Sequence, residues 1–285
     1  MPSSSFLRVV LAGAGLVLAV LLAVAVYRYL TPEPPPPAAD FDPSAFVRSG
    51  SALDAPYVTT DYAVVDAMLA MAEVRPGDQV IDLGSGDGRI LIAAARSHGA
   101  RGLGVDIDPV RIREATANAQ AARVADRVQF RRQDLFRTPL NEADVVTLYL
   151  TAEVNRRLRP RILEQMQPGT RVVSHQYDMG EWRPDQRQQI GPSTIFLWMV
   201  PARVEGKWTI NAEGRTATVE LTQSFQQVDG RVEGGGRVEQ GRLAGTQIRF
   251  LANLGDGRRE FIGRVNGDRI ESTQPRFGWR AVRAG

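Results

Sequence analysis

Cysteine is absent from this chain of 285 residues, which excludes disulfides, thiolate metal sites and a cysteine nucleophile together. Histidine occurs twice, as His98 and His175, too few for a histidine metal cluster, and no metal is expected. Lysine occurs once, at Lys207, so arginine carries the basic side of a net charge of +3. No basic stripe interleaved with aromatic residues is present, and nucleic acid is not an expected partner. What remains is the composition of a globular protein: 43% hydrophobic and 24% charged residues, in a length that accommodates two domains.

Charge is also missing from Val9 to Tyr27, which are nearly all apolar. As a helix rising ~1.5 Å per residue this run nearly spans the ~30 Å hydrocarbon core of a bilayer, and it reads as a single-pass N-terminal transmembrane anchor. The alternative is a cleaved signal peptide, for which Ala23-Val24-Ala25 supplies a small-x-small site; signal cores of ~7 to 15 residues are shorter than this run, which favours the anchor. Arg8 and Arg28 flank the segment and leave the positive-inside count nearly tied. Pro32, Pro34, Pro35, Pro36 and Pro37 then make an extended spacer. The expected organisation is an anchor over residues 1–30, a linker over 31–54, a first domain over 55–200 and an all-β module over 201–285.

The first domain carries the most informative run, Val80-Ile81-Asp82-Leu83-Gly84-Ser85-Gly86-Asp87-Gly88-Arg89-Ile90: an apolar strand ending in an acid, three alternating glycines, then the start of a helix. Glycine tolerates φ > 0 and brings no Cβ against a ligand, and the helix offers unpaired N–H groups, so the loop suits a nucleotide-like ligand. The dinucleotide fingerprint G-x-G-x-x-G fails, because Arg89 stands where its third glycine belongs. A helix from Arg89 to Ser97, stopped by Gly99, precedes a strand Gly102–Asp106. Asp106 lies eighteen positions beyond Gly88, near the ~20-residue interval at which Rossmann-type folds place an acid on the ribose hydroxyls. Asp108 competes with it but precedes Pro109 and reads better as an N-cap before a first-turn proline.

A third strand, Val128–Arg132, delivers Asp134 at its tip. Strands four, five and seven are expected at Ala143–Leu150, Thr170–Tyr177 and Thr194–Val200, the first two joined by a helical stretch broken at Pro160. A helix over Asp61–Val74 precedes the first strand. Buried runs such as Val145-Val146-Thr147-Leu148 within alternating βα units argue an α/β fold with a mostly parallel, doubly covered, Rossmann-like sheet.

The spacing of Gly84, Gly86 and Gly88 resembles motif I of the class I S-adenosylmethionine-dependent methyltransferases. Residues from about 55 to 200 resemble one branch of that fold, the membrane-anchored protein-lysine methyltransferases that include the ATP synthase c-subunit and adenine nucleotide translocase enzymes. The branch resemblance rests on Pro56-Tyr57-Val58, the Asp82–Arg89 loop, Asp134-Leu135-Phe136, Leu148-Tyr149-Leu150, and Arg171–His175 followed by Asp178-Met179-Gly180. It implies a seven-stranded methyltransferase sheet and S-adenosyl-L-methionine as cofactor, bound by Tyr57, Asp82, Gly84, Ser85, Gly86, Asp87, Gly88, Asp106, Ile107, Asp134 and Leu135. Within that set Asp134 would accept from the adenine amino group and the Leu135 backbone would meet the ring edge. Tyr57 closes over the donor or anchors the first helix.

There are two catalytic candidates, one from resemblance and one from its place on a strand. Tyr149 stands where other amino methyltransferases carry an Asn/Asp-Pro-Pro-Tyr motif, and would orient the acceptor amine or shape the methyl site; its other reading is a tyrosine packed under the next helix. His175 lies on a strand near the carboxyl edge, against the reading of a hydrogen-bonded structural histidine. The chain departs from the branch at Thr59, where proline is usual, and at Thr151-Ala152, where Leu-Pro is usual.

The resemblance implies methylation of a lysine side chain on a membrane-associated protein, with the catalytic domain on the cytoplasmic side, where the donor is made. A methyltransferase for a lipid or small apolar metabolite, and a non-catalytic donor-binding scaffold, are the competing expectations. Arg156, Arg157, Arg159 and Arg161 read as a solvated helix face or as a contact for an acidic or phospholipid surface. Beyond Val200, where fourteen of the 27 glycines fall, short alternating runs between turns argue an all-β module. Asp229–Gly234 and Gln240–Gly245 look like repeated turn-plus-strand units. Trp208, Phe250, Phe261, Phe277 and Trp279 are its expected core, with an aromatic-lined binding cup as the other possibility.

Overall fold

The structure is a computed structural model and describes residues 57–255 and 257–284. The expected anchor, its signal-peptide alternative and the proline spacer lie outside the described residues. Among the described residues no helix is long and apolar enough to cross a membrane.

The βα alternation folds as the sequence pattern demands. In chain order the elements are α1 (Tyr62–Met71), β1 (Gln79–Leu83), α2 (Arg89–His98), β2 (Arg101–Asp106), α3 (Pro109–Ala121), β3 (Val128–Arg132), β4 (Val145–Leu148), α4 (Ala152–Gln165), β5 (Arg171–His175), β6 (Gln186–Ile190) and β7 (Ser193–Met199). They form a seven-stranded sheet of order β3-β2-β1-β4-β5-β7-β6, parallel except for β7. Successive strand residues point to opposite faces. Val80, Val145 and Val173 therefore meet α1 and α2 on one side, while Ile81, Val146 and Val172 meet α4 on the other. Coverage on both faces explains why β4 is buried at every position.

Two expectations need correction. Helix α4 runs through Pro160 without a break. Val154, Leu158 and Ile162 bury its inner face, and both Pro160 and Arg156 are exposed, so the carbonyl deprived of its N–H partner lies on the watered side, where the loss is tolerated. Strand β6 is counted in the seven-stranded expectation but given no residues. Its sequence, Gln-Arg-Gln-Gln-Ile, is exposed along nearly its whole length; as an edge strand it has no apolar face to betray it and carries the polar residues that discourage further pairing.

The crossover from β5 to β6 contains no helix. Residues 176–185 instead run against α4, where Asn155 Nδ2 donates to the Tyr177 carbonyl at 3.0 Å and Arg159 Nη1 to the Met179 carbonyl at 2.9 Å. Trp182 of this segment and Trp198 of β7 are fully buried and pack together. Phe225, which arrives from the second module, packs onto the same core.

That module is a closed antiparallel barrel of eight strands: β8 (Gly206–Ala212), β9 (Arg215–Ser224), β10 (Gln227–Val232), β11 (Gly236–Ala244), β12 (Gln247–Asn253), β13 (Arg258–Asn266), β14 (Arg269–Ser272) and β15 (Trp279–Arg283). Its interior is filled by side chains: Phe250 and Phe261 stack at 5.0 Å, and Trp279 meets Phe261 edge-on at 5.3 Å. The aromatic residues are thus a packed core. Gly230 and Gly241 are not turn residues, as the repeat reading had them. They sit within β10 and β11, where the register shifts between Val228 and Gly230; a Cβ on Gly230 would stand 2.5 Å from the Glu220 carbonyl oxygen. Bare positions of this kind let strands bend tightly enough to close a barrel.

The barrel meets the sheet through close contacts. Gln226 Nε2 donates to the Arg183 carbonyl at 2.6 Å, Arg242 pairs with Asp185 at 2.8 Å, and the Ala202 N–H donates to the Gly245 carbonyl at 2.9 Å. A Cβ on Gly245, whose φ is +58°, would lie 2.9 Å from Gly169 Cα.

Candidate active site

The carboxyl ends of β1, β2, β3 and β4 open into one pocket. At its floor the glycine loop takes φ of 82°, 51° and 82° at Gly84, Gly86 and Gly88, the left-handed region that favours glycine. The missing side chains also make room for protein: a Cβ on Gly86 would stand 2.5 Å from the Tyr57 ring, and one on Gly84 2.7 Å from Leu150 Cδ2. The loop is therefore capped by Tyr57 on one side and Leu150 on the other. The Arg111 guanidinium lies over the outer side of Tyr57, 4.3 Å from the ring centroid.

Arg89, the residue that breaks the dinucleotide fingerprint, has a structural task. Its Nη2 pairs with Asp87 Oδ2 at 2.6 Å, while Nη1 donates to the Thr60 carbonyl at 2.8 Å. The segment entering α1 is thereby tied to the glycine loop.

Each strand-end acid is engaged differently. Asp106 lies in the pocket wall and accepts from the Gly86 N–H at 3.0 Å and from the Asp108 N–H at 2.9 Å. Asp108 accepts from the Val110 N–H at 2.7 Å and caps α3 ahead of Pro109. Asp134 also lines the pocket, and its Oδ1 accepts from the Phe136 N–H at 2.8 Å, capping the short turn Leu135–Arg137. Asp82 lies beneath the loop and outside the lining. Thr147 Oγ1 donates to its Oδ1 at 2.6 Å, whereas Oδ2 is buried without a partner. Burial above all, with the charges of Asp106 and Asp87 adding to it and the Thr147 hydrogen bond opposing, pushes the Asp82 carboxyl up to about 7.

The lining brings together Tyr57, Gly84, Ser85, Gly86, Asp87, Asp106, Ile107, Asp134, Leu135 and Tyr149 from the sequence-derived set. Gly88 and His175 fall outside it, as Asp82 does. Gly88 is the left-handed N-cap of α2, closed in by the Phe130 ring. His175 is buried behind Tyr149: the two ring centroids are 3.9 Å apart at 35°, and His175 Nδ1 is 3.2 Å from Thr60 Oγ1. Burial pulls the imidazole down to about 4, with Asp61 acting in the opposite sense, so it is neutral near pH 7. Tyr149 is raised above the usual phenol value, first by burial and then by Tyr177 and Asp61, and stays protonated.

Thr60, Arg111 and Gln133 also line the pocket, and no spacing rule pointed to them. Thr60 follows Thr59, where the chain departs from its branch. Of the α4 arginines, Arg159 and Arg161 do not form a free face: Arg159 holds Met179, and Arg161 Nη2 donates to the Thr138 carbonyl at 2.9 Å. Arg157 lies over the Phe136 ring, 4.2 Å from its centroid.

Known proteins are similar to this part of the chain. The family model described as the ANTKMT methyltransferase domain matches residues 82–186. A protein-lysine N-methyltransferase of Saccharolobus islandicus is 39% identical over 150 residues, which cover 51% of this chain and 93% of that protein. The mouse adenine nucleotide translocase lysine N-methyltransferase is 30% identical over 153 residues, 54% of this chain and 66% of that protein. Among solved structures, an RNA methyltransferase from Salinibacter ruber in complex with S-adenosyl-L-homocysteine is 52% identical, covers 52% of this chain and 96% of its own, and superposes with a TM-score of 0.51. With the glycine loop, the three strand-end acids and the sheet order already in place, the chain belongs to the S-adenosylmethionine-dependent class I methyltransferases, in the family of the protein-lysine N-methyltransferases.

Proposed function

We propose that this chain methylates a lysine side chain of a membrane-associated protein, with S-adenosylmethionine as donor. The observation that carries the reading is Tyr149, a protonated phenol lining the same pocket as the glycine loop, Asp106 and Asp134. The residues present fit the donor. Gly84 and Gly86 line the floor in left-handed backbone conformations, and Ser85 Oγ and Asp82 Oδ2 are buried there without partners, as expected beneath a polar ligand. Asp106 would hold the ribose hydroxyls, Asp134 and Leu135 the adenine edge, Ile107 one face of the adenine, and Asp82 would act from beneath the loop.

When bound, S-adenosylmethionine supplies a methyl group on a sulfonium that is already electrophilic. What the protein adds is position, since holding a neutral amine in line supplies most of the rate. A lysine amine has a reference pKa of ~10.4, and burial beside Tyr149 favours its neutral form, its proton leaving to solvent before transfer. The Tyr149 hydroxyl oxygen would accept from an N–H of that amine and leave its lone pair free for the methyl group, and His175, neutral and stacked behind it, would keep the ring in place.

The membrane part of the reading rests on the uncharged run Val9 to Tyr27 and the proline spacer. It puts the catalytic domain on the cytoplasmic side, where the donor is found. The test is incubation of the full chain with radiolabelled donor and membranes from cells lacking it. Label in lysine residues of a membrane protein is the expected result. Label in lipid or in RNA, with none in protein, would overturn the acceptor assignment and leave the donor assignment standing.

A further inference from the structure

Helix α3 carries a cation where its own electrostatics disfavour one. Arg111 stands in the first turn of α3, a turn that holds no acid, although the N-terminal end of a helix dipole favours negative charge and repels positive. What the side chain touches has to account for its place. Its guanidinium lies 4.3 Å from the centroid of the Tyr57 ring, and a Cβ on Gly86 would stand 2.5 Å from the same ring. The ring thus connects Arg111 to the glycine loop, and all three residues line the pocket.

The edges of that guanidinium are occupied. Nη1 donates to Glu114 at 2.5 Å and Nε stands 3.9 Å from Asp108, whose other oxygen caps α3. An arginine held by carboxylates at its edges keeps its flat face free for an aromatic ring, a geometry that lysine does not share. The two acids also offset its charge beside a donor that carries a sulfonium. At the far end of the same segment, Arg89 Nη1 donates to the Thr60 carbonyl at 2.8 Å. Residues 57–60 form no helix or strand of their own; Arg89 grips them by the main chain and Arg111 by the Tyr57 ring.

We propose that Arg111 is a positioning residue for the donor: it holds the Tyr57 ring against Gly86, and the ring covers the donor bound over the glycine loop. This rests on the donor site described above. It separates two roles, since Tyr57 touches the donor and Arg111 acts through Tyr57. The contact is partly open, with 27% of the Arg111 side chain exposed, so its loss is worth about 3- to 10-fold in donor affinity.

The test uses the full chain with S-adenosylhomocysteine as probe, and reads dissociation constants by titration calorimetry. Arg111→Met keeps an unbranched stem without the guanidinium, and Arg111→Lys keeps the charge without the flat face. Both leave α3 its cap at Asp108 and preserve the fold. The expected result is a dissociation constant raised about 3- to 10-fold in the methionine variant and by less in the lysine variant. Tyr57→Leu, weakened in its own right, should change by less than about twofold when Arg111→Met is added, because the ring through which Arg111 acts is gone. Unchanged affinity in Arg111→Met overturns the proposal. So does an equal loss in the two backgrounds, which would place Arg111 on the donor itself. Failure of wild type to bind S-adenosylhomocysteine would sink the donor site instead, and is seen before any variant is made.

Discussion

Phe225, at the tip of a barrel hairpin, stacks on Trp182 with ring centroids 6.2 Å apart and planes inclined by 15°. The barrel thereby places an aromatic ring on the methyltransferase core at the crossover that lacks a helix. Arg159 covers the Phe225 ring at 5.2 Å, tying α4 into the same contact. Phe225→Ala, which truncates a half-buried ring, should remove about 1 to 2 kcal/mol and lower the melting temperature by several degrees. Calorimetry of wild type should show the sheet and barrel melting in a single transition; two separate transitions would mean the contact is incidental.

Asp106→Ala should weaken S-adenosylhomocysteine binding roughly 10- to 100-fold, the loss of charge-assisted bonds worth ~1.5 to 3 kcal/mol. The variant also strips the acceptor from the Gly86 and Asp108 N–H groups, so Asp106→Asn, which keeps one oxygen, should be milder. Titration calorimetry decides it, and unchanged affinity in the alanine variant would remove Asp106 from the donor site.

Asp82 offers a prediction in pH. Its carboxyl titrates near 3.8 when unfolded and is raised to about 7 in the fold, so the folded state holds the extra proton between those values. The stability it contributes is complete below about pH 4 and is lost as pH rises through 7. Asp82→Asn removes the buried charge and keeps an oxygen for the Thr147 hydroxyl. The melting temperature of the variant minus that of wild type should therefore be positive at pH 8 and shrink toward zero near pH 4. A difference that does not vary with pH would show that Asp82 is not the titrating group. Donor affinity should fall in the same variant, a case of function held at the expense of stability.

His175 acts in the opposite sense. Its pKa is lowered to about 4 by burial, so the unfolded state binds the extra proton from pH 6.5 down to about 4. Its contribution is whole above 6.5 and lost as pH falls through that window. His175→Asn should flatten the acid limb of the stability curve. A limb as steep as wild type's would assign the acid sensitivity to other groups.

Tyr149→Phe tests the hydroxyl alone, since the phenyl ring retains its packing on His175. Turnover should fall while donor affinity stays nearly constant, the pattern of an interaction made chiefly in the transition state. Equal turnover in the two proteins would return Tyr149 to a packing role.

The glycine loop and its acids were legible because each depends on local rules: φ > 0 at Gly84, Gly86 and Gly88, an acid at the tip of β2, a proline after the capping Asp108. What escaped depends on contacts distant in the chain. Thr60 and His175 are 115 residues apart and meet only after the sheet has formed. Strand β6 carries no hydrophobic period, and the helix that continues through Pro160 is held by its buried face. Closure of the barrel was likewise invisible, because alternation in β8 to β15 marks strands without specifying that β15 returns to β8.

Where Gly245 of the barrel approaches Gly169 of the sheet, main chain meets main chain with no room for a side chain between them. At that point the joint has no side chain that could readjust, whereas Gln226, Arg242 and Phe225 bridge it elsewhere with side chains. The Gly245–Gly169 approach is therefore the place where the spacing between barrel and sheet is fixed by main chain alone. Gly245→Ala would wedge that joint open, and its effect on turnover would measure how much the reaction depends on the alignment.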